Sequence, residues 1–187
     1  KIINMKPFVY LVVFTVLIAC KNETTKTAFL GMVNLEVTGN DQAVSEFERG
    51  LLLLHSFEYE DARDSFKKAQ ELDAQMPMAY WGEAMTYNHS LWHEQDYEDG
   101  AEVLGKLDSI PSLKNATELE RDFIKAVKVL YEPKTDKKER DTAYALFMEQ
   151  LNNKYPDNHE VAAFYALSLL GSVPDGRDVE LYGKGAK

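Results

Sequence analysis

Apolar residues recur at helical spacing from residue 42 almost to the end of the chain. In YEDARDSFKKAQEL, residues 59–72, Ala62, Phe66 and Ala69 share one stripe and charged residues fill the opposite face. After a short break, PMAYWGEAMTY places Tyr80, Ala84 and Tyr87 on another stripe. The period predicts helices over 42–56, 59–72, 77–89, 97–108, 116–131, 137–154 and 158–170. Asp73-Ala74, Glu132-Pro133 and Tyr155-Pro156-Asp157 punctuate them. Pro77 suits the first position of its helix, where a missing N–H costs nothing. No strand-like alternation competes from residue 42 onward, so the expected fold class is all-α, an α-solenoid of antiparallel helix pairs.

The pattern repeats. Gly50 and Ala84 lie 34 positions apart, as do Phe47 and Trp81, and His55 and His89. Small residues let two helices approach closely, while Tyr59 and Phe66 fill the gap to the next pair. Gly50, Tyr59, Ala62, Phe66 and Ala69 fall where the tetratricopeptide repeat pattern wants small, aromatic, small, aromatic, small. Later units are looser. A loop containing SLWHEQD delays the second unit's partner helix, so Ala101 sits five positions beyond strict register. A third unit sets Phe123 and Ala126 against Ala143, Phe147 and Leu151, with residues inserted around EPKTDKK. Ala166 and Leu169 open a fourth unit whose second helix has only GRDVELYGKGAK available. A solenoid needs a polar capping helix, and the chain is expected to be the N-terminal part of a longer protein.

Five local motifs run in succession: Phe47 with Gly50; His55, Phe57 and Tyr59; Ala62 with Phe66; Ala79, Tyr80, Trp81, Gly82, Ala84 and Met85; and His89 with Trp92. The run resembles the amino-terminal region of a bacterial family of large tetratricopeptide repeat proteins, over about residues 43–96 and more loosely at FYALSLLG. Asp73-Ala74 replaces the usual Asp-Pro turn. The resemblance implies a superhelix, a scaffold or interaction role, and no established catalytic activity to transfer. It also implies that the first helix of each pair lines a concave face, which Phe47, Leu51, His55, Trp81, Met85, Asn88 and His89 would share as a groove for a peptide or protein partner. Trp81 and Met85 would offer apolar area, and His55, Asn88 and His89 hydrogen bonds. The competing reading makes the aromatic stripe core and the histidines favourable charges at helix C-termini. The family's H-x-x-W suggests that His89 and Trp92 pack a sharp corner.

The first residues are of a different kind. In KIINMKPFVYLVVFTVLIAC, Met5 reads as the start, Lys6 as a positive n-region, and Phe8–Ala19 as a twelve-residue apolar run. A bilayer span needs about 20 residues, so the run suits a signal peptide. Leu17-Ile18-Ala19-Cys20 looks like a bacterial lipobox, with Cys20, the only cysteine, as the lipid attachment site. A signal anchor with an incidental cysteine is the alternative. The expected organisation is a lipoprotein signal peptide over 1–19, a tether over 20–41 and a repeat domain over 42–187. Lys21-Asn22-Glu23 lacks the aspartate that retains some lipoproteins at the inner membrane, which points to the outer membrane, on its periplasmic face or at the surface.

Charge and motif content narrow the chemistry. The chain carries 21 basic and 31 acidic residues; without Lys1 and Lys6 the balance is −12. No basic stripe exists for nucleic acid. His89, His93 and Glu94 have ligand-bearing types, but H-x-x-x-H-E is not the zinc-protease order. Neither a phosphate-binding glycine loop nor G-x-S-x-G occurs. The expectation is therefore a membrane-anchored binding scaffold with no catalytic residue, metal or cofactor. The alternatives are a metal-dependent hydrolase using His55, His89 and His93, or a purely structural subunit.

Overall fold

A computed structural model describes residues 30–173 and 179–186, with the side chains of residues 181 and 182 left out. The expected signal peptide, the expected lipid site Cys20 and the first part of the expected tether lie outside the described residues. Eight α-helices occur among them: α1 (Asp41–His55), α2 (Tyr59–Leu72), α3 (Pro77–Met85), α4 (Tyr97–Asp108), α5 (Glu118–Leu130), α6 (Lys137–Lys154), α7 (His159–Ser172) and α8 (Val179–Gly185). Sequence chemistry sets their starts. Asn40, Asp136 and Asn158 each accept a hydrogen bond from a backbone N–H three residues on, and Thr117 with Glu120 forms a reciprocal capping box on α5. Pro77 opens α3 as its spacing predicts. None of the described helices is long and apolar enough to cross a membrane.

Each of α1–α3 packs on its successor, as do α5 on α6, α6 on α7 and α7 on α8; α3 also touches both α1 and α5. Three residues join α1 to α2, which forces a helical hairpin. The fold is all-α with one small exception. Helix α3 stops at Met85, four residues earlier than the periodicity predicts. Asn88–His89 (β1) and Glu94–Gln95 (β2) then pair antiparallel around a 3₁₀ turn at Ser90–Trp92. A second difference concerns the expected tether. Residues 30–40 form an extended strap: Leu35 is buried, and Leu30, Val33 and Val37 pack on the core. Glu120 fixes the strap's end, accepting from the Thr38 amide at 2.6 Å and the Thr38 hydroxyl at 2.8 Å.

The core is organised by one aromatic cluster. Trp81 of α3 lies 6.4 Å from Phe47 of α1, 5.3 Å from Phe123 of α5 and 5.3 Å from Phe164 of α7, ring centre to ring centre. All four are essentially fully buried. Beside them Phe66 of α2 sits 5.6 Å from Phe47, in a notch made by two glycines. A Cβ at Gly50 would come within 2.8 Å of the Phe66 ring, and one at Gly82 would overlap it more severely. The expected packing of small against aromatic residues is thus present, with Gly82 as well as Gly50 forming the notch.

Asp122 ties α5 to the end of α6. It accepts from Lys125 at 2.9 Å, Lys154 at 2.6 Å and the Tyr155 hydroxyl at 2.9 Å. Burial pushes its pKa up, but the hydrogen bonds from Lys154, Lys125 and Tyr155 outweigh burial and hold it below the ordinary value.

Two predictions follow from this packing. In Gly82→Ala, the better helix propensity of alanine, about 1 kcal/mol, is outweighed by overpacking of about 1–3 kcal/mol. Gly105 of α4 faces open space, so Gly105→Ala is expected to stabilise by about 1 kcal/mol. Urea denaturation of both variants checks the opposite signs. Because Asp122 is depressed in the fold, its stabilisation is present above a pH of about 4 and is lost as pH falls through the lowered folded value. Asp122→Asn should therefore be less stable at neutral pH and show a shallower acid loss, the two curves converging in strong acid.

Candidate functional site

The Asn88–Gln95 hairpin is the point where four helix pairs meet. Gln95 donates to the Leu130 carbonyl at 2.9 Å and accepts from Arg140 at 2.8 Å. Lys137 of α6 reaches the Asn88 side-chain oxygen at 3.3 Å, and Gly171 of α7 packs directly on Ser90. On the other side, His89 stacks on Tyr59 with ring centres 4.2 Å apart, and Trp92 meets Phe57 and Tyr59 edge-on at 5.8 and 6.0 Å. The ends of α1, α3, α5 and α7 and the starts of α2 and α6 therefore lie at one pole.

Backbone strain collects there too. Among the described residues, the non-glycine positions with positive φ are Phe57 at 61°, His93 at 55° and Lys134 at 67°, one in each connection at this pole. Phe57 occupies the position after a helix C-cap where glycine is usual. Its N–H bonds the Leu54 carbonyl, and the Glu58 N–H bonds the Leu53 carbonyl. A bulky residue in that conformation costs about 1–2 kcal/mol. Despite the strain, Phe57 is 38 % exposed, beside Leu91 at 39 % and Trp92 at 54 %.

Two concavities lie along α6 and α7. One, of about 290 Å³, is lined by His93, Lys137, Lys138, Asp141, Gly171, Ser172 and Val173. The other, of about 180 Å³, is lined by residues of α6 and α7, among them Leu146 and Tyr165, and by Lys184 of α8. Ser172 lines both, so they neighbour each other along a trough between α6 and α7. Lys137 is drawn to Asp141 by two 2.8 Å contacts, which leaves Lys138 as the second lysine at the upper end, beside the His93 ring. Leu146, 57 % exposed, lies at the lower end with Glu149 and Lys184, which stand 4.0 Å apart.

The residues expected to line a concave groove lie elsewhere. Phe47, Leu51, Trp81, Met85 and Asn88 are buried within this chain, because α7 brings Phe164 onto the face they share. His55 donates to Glu160 of α7 at 2.7 Å and packs on Phe164. His89 is not on a helix: it sits in β1, donates from Nε2 to the Thr86 carbonyl at 3.1 Å and lies 4.0 Å from Glu94. The groove assignment is therefore corrected to core packing for the five buried residues and to inter-element contacts for the two histidines. The corner expected from His89 and Trp92 is present, with Tyr59 between them.

No family model, no curated protein and no solved structure matches the chain.

Titratable groups at the pole serve structure. Burial pushes the Tyr59 phenol up to about 12, so it stays protonated and the ring acts as a packing surface. Among the described residues no three His, Cys, Asp or Glu side chains gather as metal ligands; His55 and His89 are turned toward different partners. The contributions that periodicity missed are Phe164, Lys137 and the αL residue Phe57.

Phe57 offers a clean measurement. Phe57→Gly relieves about 1–2 kcal/mol of backbone strain and forfeits about 0.5–1.5 kcal/mol of aromatic contact. Its stability is expected to stay within about 1 kcal/mol of the parent. Phe164→Ala, by contrast, should lose about 3–5 kcal/mol. Urea denaturation of the two variants side by side makes the comparison.

Proposed function

We propose that the chain is a tetratricopeptide-repeat-like α-solenoid, tethered to the bacterial cell envelope through a lipid on Cys20, and that it binds a protein or peptide partner. Four features support the reading: the 34-residue recurrence, the stacking of α3 on both α1 and α5, the apolar leader, and the cysteine that ends it. The partner's place is the trough along α6, α7 and α8, in preference to the inner face. One observation carries this choice: the inner face is filled by the aromatic cluster, whereas the trough is open, with Lys138 beside His93 at one end and Leu146 beside Glu149 and Lys184 at the other. An extended peptide with an acidic residue placed toward Lys138 and His93 and an apolar residue toward Leu146 matches that lining.

Site-specific photo-crosslinking tests the assignment in cells. A photoreactive residue at position 146 is expected to trap a discrete partner, and the same residue at exposed position 71 on α2 is not. Equal yields at both positions, or none at 146 in a folded protein, overturn the trough. The tether is tested separately: Cys20→Ser should release the protein from the membrane fraction and abolish incorporation of labelled fatty acid.

A further inference from the structure

Three aromatic rings meet at the hairpin pole, outside the trough. Phe57, Tyr59 and Trp92 have ring centres 5.8, 6.0 and 6.3 Å apart, a nearly equilateral triangle. Their planes stand at 53°, 77° and 79° to one another, so no pair stacks flat. His89 backs Tyr59, which holds the triad by packing while Trp92 keeps more than half of its surface open. None of the three rings lines either concavity.

Folding does not account for this exposure. Phe57 holds a left-handed conformation that glycine would adopt without strain, and its ring is displayed on the surface. Backbone strain of that kind concentrates at ligand-binding positions. The charges around the rings set the sign of the ligand. Glu58, Glu60 and Asp61 adjoin Phe57 and Tyr59 in the chain, Glu94 follows Trp92 by two residues, and all four are exposed. The Glu94 carboxylate lies 4.0 Å from His89 Nδ1. Because Nε2 donates to the Thr86 carbonyl, Nδ1 of the neutral ring carries a lone pair and offers Glu94 no hydrogen. Arg63, one turn along α2 from Tyr59, does not answer these carboxylates. It donates to the Thr86 hydroxyl at 3.0 Å and lies over the Tyr87 ring at 4.0 Å.

We propose that the Phe57, Tyr59 and Trp92 triad binds an arginine side chain of a protein partner. The inference rests on the partner reading and not on the trough. A guanidinium is flat and weakly hydrated, so it lies on an aromatic ring and still directs N–H groups at a carboxylate. The rings take its plane and its aliphatic stem, and Glu94 with the neighbouring carboxylates takes its N–H groups. A quaternary ammonium carries no N–H for Glu94, and a lysine ammonium holds its water more tightly. The same pairing recurs within the fold, where Arg63 lies over Tyr87 and Arg140 lies over Tyr97 at 4.8 Å.

The chain's two tryptophans, buried Trp81 and exposed Trp92, supply a probe and its control. Isotope labelling of the indole nitrogens in the full chain gives one magnetic-resonance N–H signal for each. The ligands are short blocked glycine peptides with a single central arginine, citrulline or lysine. The arginine peptide is expected to move the Trp92 signal saturably and to leave the Trp81 signal in place. Citrulline keeps the shape and loses the charge, so its peptide should bind about tenfold more weakly. Glu94→Gln should weaken arginine binding about threefold. Phe57→Gly, shown to be folded by its Trp81 signal, should lose most of the shift. A Trp92 signal that stays still, or moves equally for arginine and citrulline, overturns the site. Equal movement with lysine also overturns it, because the contact is then one of charge alone. A still Trp92 beside a trapped partner at position 146 overturns the triad and leaves the partner reading standing. Failure of both overturns both.

Discussion

Trp81 decides what kind of molecule this is. Its ring is met by aromatic side chains from α1, α5 and α7, so every odd-numbered helix up to α7 has a side chain on one centre. Edge-to-face contacts of this kind add about 0.5–1.5 kcal/mol each beyond the area they bury. The larger effect is geometric. Helices that share a filled centre cannot open a groove between them, and polar groups on that face must find partners inside. His55 does so with Glu160, and Asn88 with Ser90 and Lys137. The outer trough and the poles are the surfaces this packing leaves open.

The hairpin at 88–95 is the second determinant, and it depends on the first. With α7 drawn inward onto Trp81, its C-terminal turn arrives beside Ser90, where only a glycine fits at position 171. The loop between α3 and α4 thereby becomes a joint between the first and last helix pairs. Strain at Phe57, His93 and Lys134 collects around this joint, which agrees with the tendency of strained backbone to persist where surrounding contacts over-determine it.

Much of the helical frame was legible in the chain. The 3.6-residue period places six of the seven expected helices within two residues of their observed ends, and four of the six are started by the side-chain caps of Asn40, Thr117, Asp136 and Asn158. Helix α3 is the exception: Asn88 and His89 continue the period, but pairing with Glu94 and Gln95 removes them from the helix, and two-residue strands leave no periodic trace. The candidate site was less legible for a definite reason. A stripe such as Phe47, Leu51, Trp81 and Met85 looks the same whether it lines a groove or a core. The difference is made by Phe164, whose interval from Phe123 is 41 residues against 34 between Phe47 and Trp81. Insertions around SLWHEQD and EPKTDKK hide that correspondence. The strap did leave a signal, since Val33, Leu35 and Val37 alternate with Asn34, Glu36 and Thr38, a two-residue period in which the apolar set faces the core.

Glu120 joins these separate features. It is buried, and its carboxylate accepts from the Thr117 amide at 2.6 Å as the second half of the α5 capping box. The same carboxylate receives both Thr38 donors. One side chain therefore finishes a helix and fastens the strap. A buried carboxylate with that many donors is costly to leave unpaired, so the strap and the first turn of α5 stabilise each other. Since α5 carries Phe123 into the aromatic centre, the Thr38–Glu120 contact ties the strap to the core from the α5 side, in addition to the packing of Leu30, Val33 and Leu35.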